Sequence, residues 1–127
     1  MAFTVTFENA DGYLRFEVSG VRVARTLARD MLDVWKRVAA ECRARSAARV
    51  LGINRLTGPV PTLEVFHIGQ EVPGILGPDV RRLAFVVLGG EEALSANRFF
   101  EDVAVNRGLA GRVFGEEAEA IAWLTAP

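Results

Sequence analysis

The sequence contains very few of the residue types on which most enzyme chemistry depends. Cysteine, histidine and lysine each occur once in 127 residues, as Cys42, His67 and Lys36. A single cysteine excludes an intramolecular disulfide, which fits a reducing compartment. A zinc site needs several histidine or cysteine ligands, so the composition predicts no metal centre. A Ser-His-Asp or Cys-His site would have to use His67, and the spacing places no nucleophile beside it.

Cofactor-binding and nucleophile motifs are missing as well. The chain has no G-x-x-x-x-G-K-[ST] phosphate loop, no G-x-G-x-x-G after a strand and no G-x-S-x-G elbow. Adjacent acids occur at Glu91/Glu92, Glu101/Asp102 and Glu116/Glu117, but neighbouring residues on a helix do not face each other. We interpret them as solvated or helix-start acids. The sequence therefore predicts no cofactor and no enzymatic activity.

No stretch is long and apolar enough to suggest insertion into a membrane. The longest strongly apolar run is Leu83–Leu88, whereas a spanning helix needs about 20 such residues. The N-terminal MAFTVTFENA lacks a basic segment followed by an apolar one, so no signal peptide is predicted. The formal net charge of -1 does not favour nucleic acid or an acidic membrane. We expect a cytoplasmic protein that binds no nucleic acid and has no integral membrane segment.

Hydrophobic residues, in contrast, make up 50% of the chain and follow clear periods. They predict a single domain over residues 1–127. Period-two segments at Phe3–Phe7 and Leu14–Val18, joined by turn residues, predict an antiparallel hairpin. Apolar residues at helical spacing predict a long helix from Thr26 to Arg45, with Cys42 on its buried stripe.

The rest of the chain alternates apolar strands with helical segments. Runs without alternation at Val50–Ile53 and Leu83–Leu88 predict strands that are covered on both faces. The remaining predicted elements are a helix that starts after a Thr62 cap and is stopped by Pro73 and the Gly/Pro-rich Gly74–Pro78, a helix from Glu92 or Ser95 to Arg107 with Phe99, Phe100 and Val103 inward, a strand at Arg112–Phe114 and a helix at Glu116–Leu124. The order predicts an α/β fold with about five strands, four helices and a mostly parallel sheet.

The best candidate site is the segment from Asn54 to Thr62, which we predict to be a loop. It would follow a parallel strand, where open α/β sheets usually bind ligands, and end at a helix N-terminus, which favours anions. Its polar side chains are those of Asn54, Arg55, Thr57 and Thr62, and Phe66 and His67 lie on the helix that follows. Two simpler interpretations stay open: Thr62 caps the helix, and the histidine is a partly buried structural residue.

The element pattern, together with the ending RVFGEEAEAIAWL, resembles the STAS family (sulfate transporter and anti-sigma-factor antagonist), particularly its SpoIIAA-like bacterial members. The resemblance covers Phe3 to Leu124. It implies stacked β-α units, a non-catalytic role, a kinase partner and phosphorylation of a Ser or Thr at the start of the second helix. Thr62 matches that position, with Thr57 as second choice. The D-S-S-G of the family is replaced here by Gly58–Thr62, which favours a binding surface without a phosphorylation switch.

Two functions remain as hypotheses. The first is a regulatory, protein-binding module that uses the Asn54–Thr62 segment and the following helix, with a homodimer as one form of association. The second is a carrier of a small or lipid-like apolar ligand, because the fold that the resemblance implies is similar to that of the CRAL-TRIO lipid-binding domains. A supply of aromatic residues also favours the second hypothesis, namely Trp35, Phe66, Phe99 and Phe100. These aromatic side chains could equally belong to the core.

Overall fold

The structure is a computed structural model that describes residues 3–127. Residues 1 and 2, which begin the segment examined for a signal peptide, lie outside the described residues. In chain order the elements are β1 (Phe3–Ala10), β2 (Tyr13–Val21), α1 (Leu27–Arg45), β3 (Arg49–Thr57), α2 (Thr62–Leu76), β4 (Arg82–Val87), α3 (Gly90–Asn106), β5 (Gly111–Phe114) and α4 (Glu117–Thr125). Within residues 3–127, no helix has the length and apolar character needed to cross a bilayer.

The five strands form one mixed sheet in the order β1-β2-β3-β4-β5. β1 and β2 are antiparallel and closed by a tight turn, where Gly12 has a φ of 90° that favours glycine. The pairs β2-β3, β3-β4 and β4-β5 are all parallel, and one helix connects the two strands of each pair. The α/β fold expected from the sequence, with its N-terminal hairpin, five strands and four helices, is therefore confirmed.

The two faces of the sheet are covered by different helices. α1, α2 and α3 pack on one face, whereas α4 lies on the other, against β3, β4 and β5. Side chains alternate between the faces along each strand, as the period of two requires. In β3, for example, Val50 and Leu56 belong to the core under α1–α3, and Leu51 and Ile53 belong to the core under α4. Covering both faces explains why the middle strands lack polar alternation.

An aromatic cluster forms the centre of the larger core. Trp35 on α1 is fully buried, and its ring centroid lies 5.6 Å from that of Phe16, 5.5 Å from that of Phe85 and 6.1 Å from that of Phe100. These separations are typical of stabilising aromatic pairs. Gly52 in β3 lies beneath Phe16 and Phe85, so close that a Cβ there would lie 2.5 Å from Phe16 Cζ. The absence of a side chain at this position therefore makes room for the cluster.

α2 ends at Leu76, inside the segment Pro73–Pro78 that was predicted to stop it, and Val72 and Leu76 anchor its end in the core. One predicted detail of the helices is wrong. In α3, Phe99 does not face inward: the buried residues are Asn97, Phe100 and Ala104. Their spacing of three and four residues defines the inward face, and the neighbouring Phe99 is rotated away from it.

Candidate functional site

The segment from Asn54 to Thr62 is mostly strand rather than loop. β3 continues to Thr57, because the backbone of residues 54–57 keeps pairing with Val18–Val21 of β2. Only residues 58–61 connect β3 to α2. The alternation of the extended strand separates the predicted site residues: Asn54 faces α1–α3, whereas Arg55 faces the opposite side of the sheet. The predicted polar loop is therefore not one continuous site.

Arg55 belongs to a network of charged side chains on the hairpin. It forms an ion pair with Glu17, which also accepts a hydrogen bond from Arg15 at 2.7 Å. Arg15 also contacts Glu8 and Glu117, at 3.3 and 3.1 Å. The two arginines beside it, Arg15 first and then Arg55, hold the pKa of the Glu17 carboxyl below its usual value of 4.5. Arg55 is thus already neutralised, which leaves little charge for a ligand.

The two predicted phosphorylation positions are both exposed. Thr57 donates a long hydrogen bond of 3.4 Å to the carbonyl of Gly20. Thr62 is not the cap of α2, because Pro61 takes the extended N-cap conformation with φ -73° and ψ 127°, and Thr62 is the first helical residue. The carbonyl of Pro61 accepts the backbone N–H of Val65. The Thr62 hydroxyl therefore makes no capping bond.

Phe66 and His67 lie on the outer side of α2. The buried side of the helix is formed by Val65, Ile68 and Val72, so that Phe66, His67 and the preceding Leu63 face solvent. A partly buried histidine, the simpler expectation, is therefore wrong. Leu63 is 82% exposed and Phe66 40% exposed. The Phe66 ring stacks on that of Phe99, with 6.3 Å between centroids.

A small cavity lies under the carboxyl ends of β3 and β4, and three residues singled out from the sequence, Trp35, Asn54 and Phe100, line it. Its volume is about 40 Å³, and apolar side chains from α1, α2 and α3 form most of its wall. Four residues bring polar groups to it: Arg22, Trp35, Asn54 and Asn97. Burial of four such groups around one space is unusual, since buried polar groups are normally satisfied within the chain.

Arg22 is the most unusual of these residues, because it is a buried cation. It is only 6% exposed, and one guanidinium nitrogen, Nη1, donates to the carbonyl of Gly58 at 2.8 Å. No carboxylate in residues 3–127 forms an ion pair with it. Burial lowers the pKa of Arg22 below its ordinary value because the charged form loses hydration. A buried charge without a counter-ion normally costs several kcal/mol.

Trp35, which also lines the cavity, carries an unpaired donor. Its indole Nε1–H is buried and has no hydrogen-bond partner within the described chain. Leaving such a donor unsatisfied costs about 1–3 kcal/mol. Asn54 uses its side-chain oxygen to accept the Leu56 N–H at 2.9 Å, and Asn97 donates to the carbonyl of Ala93 at 2.8 Å. The polar residues that line the cavity therefore carry N–H groups that no acceptor in residues 3–127 uses.

Comparison with solved structures gives a match over nearly the whole chain. An uncharacterised protein of the DUF3478 family from Shewanella loihica, described as having a SpoIIAA-like fold, aligns with a TM-score of 0.50 and 18% sequence identity. The alignment covers 97% of this chain and 94% of that protein. The chain has a SpoIIAA-like fold. No protein-family model matches the sequence, and no curated protein does either.

Within this SpoIIAA-like fold, two residues of the cavity, Arg22 and Asn97, were not predicted from the sequence, because the sequence around them gives only a weak indication of burial. Arg22 lies between two valines directly after β2, and Asn97 occupies a buried position on α3. Neither pattern identifies burial without the tertiary structure. Metal binding has no support in residues 3–127, where no cluster of three His, Cys, Asp or Glu side chains could hold an ion.

Proposed function

We propose that this SpoIIAA-like chain is a non-catalytic regulatory module that binds a partner protein through the exposed side of α2 and the adjoining carboxyl edge of the sheet. The observation that carries the proposal is a group of exposed apolar side chains, Leu63, Phe66 and Phe99, which we call the apolar surface. Large side chains exposed together on a folded domain are typical of protein contact sites.

The geometry of α2 and α3 makes the apolar surface continuous. Leu63 and Phe66 are three residues apart on α2 and therefore lie on the same side of the helix. Phe66 stacks on Phe99 of α3 and so extends the surface across both helices. Stacked aromatic rings of this kind supply rigid contact area at a small cost in side-chain entropy.

Polar groups lie beside this surface on α2, and further apolar groups are exposed at the carboxyl edge of the sheet. Thr62 and His67 are exposed on α2, beside Leu63 and Phe66. Val21, at the end of β2, and Leu88, directly after β4, are exposed at the carboxyl edge. An apolar centre with polar groups at its border is the usual composition of a protein interface.

Phosphorylation of Thr62 would act on the same surface. The hydroxyl is exposed at the first residue of α2, so a phosphate there would be near the positive end of the helix dipole. It would add a charge of about -1.5 to -2 within one helical turn of Phe66. Binding of a partner that buries the apolar surface would weaken, because the phosphate would have to be desolvated. A partner with basic side chains near Thr62 would instead bind more tightly.

A comparison of surface variants tests the partner-binding proposal. Immobilised wild type and Leu63→Ser/Phe66→Ser protein are used to capture partners, which are then purified and titrated against each variant by calorimetry. Val105→Ser is the matched control, because Val105 is also exposed and apolar but lies near the far end of α3. We expect the double variant to weaken binding at least about 30-fold, since central contacts each contribute about 2 kcal/mol or more.

Two outcomes would contradict the proposal, and two further measurements extend it. Equal affinity of wild type and the double variant for every captured protein would contradict it, as would the same loss with Val105→Ser. Thr62→Ala and Thr62→Glu extend the test to the switch: unchanged binding by both would argue against a role for that hydroxyl. Light scattering over a range of concentrations shows whether the apolar surface instead joins two copies of the chain as a homodimer.

A further inference from the structure

We propose that the cavity under the carboxyl ends of β3 and β4 binds a small monocarboxylate, with its carboxylate held by Arg22, Trp35 and Asn54. The aliphatic part of the ligand would lie against the apolar walls supplied by α2 and α3. This inference is independent of the partner-binding surface, because it concerns a space on the buried side of α2.

The hydrogen-bonding groups around the cavity favour an anionic acceptor. The Trp35 indole N–H has no partner, and Arg22 uses only Nη1, on the Gly58 carbonyl. Asn54 accepts the Leu56 N–H with its oxygen, and its amide nitrogen donates to no group in residues 3–127. Three residues thus keep N–H groups for an acceptor, and a carboxylate has two oxygens that can accept several such bonds.

The positive charge of Arg22 also favours a carboxylate ligand. Arg22 is a buried guanidinium for which the described chain supplies no carboxylate. A neutral acceptor such as water would satisfy the N–H groups but would leave the positive charge uncompensated. A carboxylate satisfies both, because arginine forms short, charge-assisted and often bidentate hydrogen bonds with it.

The size and lining of the cavity limit the rest of the ligand. A cavity volume of about 40 Å³ suits a small carboxylate but is too little for a long acyl chain. The apolar residues that line it include Val65, Ile68 and Phe100. A short aliphatic acid such as propionate matches a space lined by both N–H donors and hydrocarbon.

An NMR titration tests this assignment directly. The chain has two tryptophans, and a Trp123→Phe variant assigns their two indole N–H signals, so that the Trp35 signal reports on the cavity. Sodium propionate is the probe, with sodium chloride at equal ionic strength, propionamide and sodium phosphate as comparisons. We expect a saturable shift of the Trp35 signal with propionate alone, in the millimolar range that five non-hydrogen atoms allow.

Substitutions test whether Arg22 is needed for the propionate binding that shifts the Trp35 signal. Arg22→Met keeps much of the side-chain volume and removes the charge, and we expect it to weaken propionate binding at least tenfold. Arg25→Met is the matched control, because Arg25 is exposed and lies three residues away; its affinity should stay within twofold of wild type. Because Arg22→Met could fail to fold, Trp35→Phe provides a second variant, measured by calorimetry, for which we expect about fivefold weaker binding.

Several results would overturn the proposal. These are a shift with chloride or propionamide equal to that with propionate, the absence of saturation, and an unchanged affinity in Arg22→Met or in Trp35→Phe. Saturable binding of phosphate in place of propionate would also refute the carboxylate and assign the cavity to another anion.

Discussion

Replacement of Gly52 by alanine is expected to destabilise the fold, although the same change often stabilises proteins elsewhere. Gly52 lies in the middle of β3 and faces the aromatic cluster. A Cβ at this position would lie 2.5 and 2.7 Å from two ring carbons of Phe16 and 2.7 Å from Cδ1 of Phe85. Carbon atoms prefer separations of about 3.5–4.0 Å, so both rings would have to move by roughly 1 Å.

The size of the effect follows from two opposing contributions. Adding a methyl group to a well-packed core costs about 1–3 kcal/mol, and the upper part of this range applies because Trp35 packs edge-on against Phe16, with 5.6 Å between the ring centroids. Alanine also reduces the freedom of the unfolded chain, which contributes about 0.4–1 kcal/mol in the opposite direction. We expect a net loss of about 2 kcal/mol, or a decrease in Tm of roughly 7 °C.

Urea and thermal unfolding followed by circular dichroism measure this change, with Gly74→Ala as the matched control. Gly74 lies in α2, and nothing approaches within 4 Å of a Cβ built there. Alanine in a helix is favoured over glycine by about 0.5–1 kcal/mol, so the control should be more stable than wild type. The two substitutions are chemically identical and should differ in sign.

A Gly52→Ala protein as stable as wild type would refute the close packing on which the reasoning depends. A double-mutant cycle with Phe16→Leu sharpens the test, because a smaller side chain at position 16 removes the closest contacts. The alanine should then cost less in the Phe16→Leu background than in wild type. Simple additivity of the two substitutions would show that the ring of Phe16 is not what opposes the new methyl group.

Two further predictions follow from the side-chain environments. Because Arg15 and Arg55 hold the pKa of Glu17 below its usual 4.5, this ion-pair stability is fully present above that value and is lost as the pH falls through the folded pKa. Arg15→Met should therefore flatten the loss of stability that urea unfolding measures as the pH falls below 4.5; a slope equal to that of wild type would contradict this. Burial raises the pKa of Cys42 to about 11, so a thiol reagent at neutral pH should modify it only in denaturant, and rapid labelling of the native protein would disprove this.

The sequence predicted the elements whose periodicity is set by burial. The start of α1 differs by one residue from the expectation and its end agrees, because Leu27, Met31 and Val34 recur at helical spacing and are all buried. The sequence predicted β4 equally well, because both faces of this strand are covered and its residues form a nearly continuous apolar run. In such segments local pattern and tertiary packing require the same residues.

The candidate site was harder to predict, because its features depend on contacts between distant segments. Residues 54–57 look polar in the sequence, yet they continue β3 because β2 offers backbone partners to each of them. The rule that placed a ligand after β3 expects a crevice where the strand order reverses, and in this sheet the order does not reverse. Arg22 was missed because a single arginine between two valines gives no sign of burial.

The sequential order of the strands has a consequence for folding during synthesis. Every strand pairs with the strand that precedes it along the chain, so each can add to a sheet formed by residues already synthesised. Only α4 departs from this order, because it returns to cover Leu51, Ile53 and Ala84 of strands completed much earlier. Until these nine residues arrive, the growing sheet carries a bare apolar face. We therefore expect this second face of the sheet to be protected from aggregation only once α4 has been synthesised.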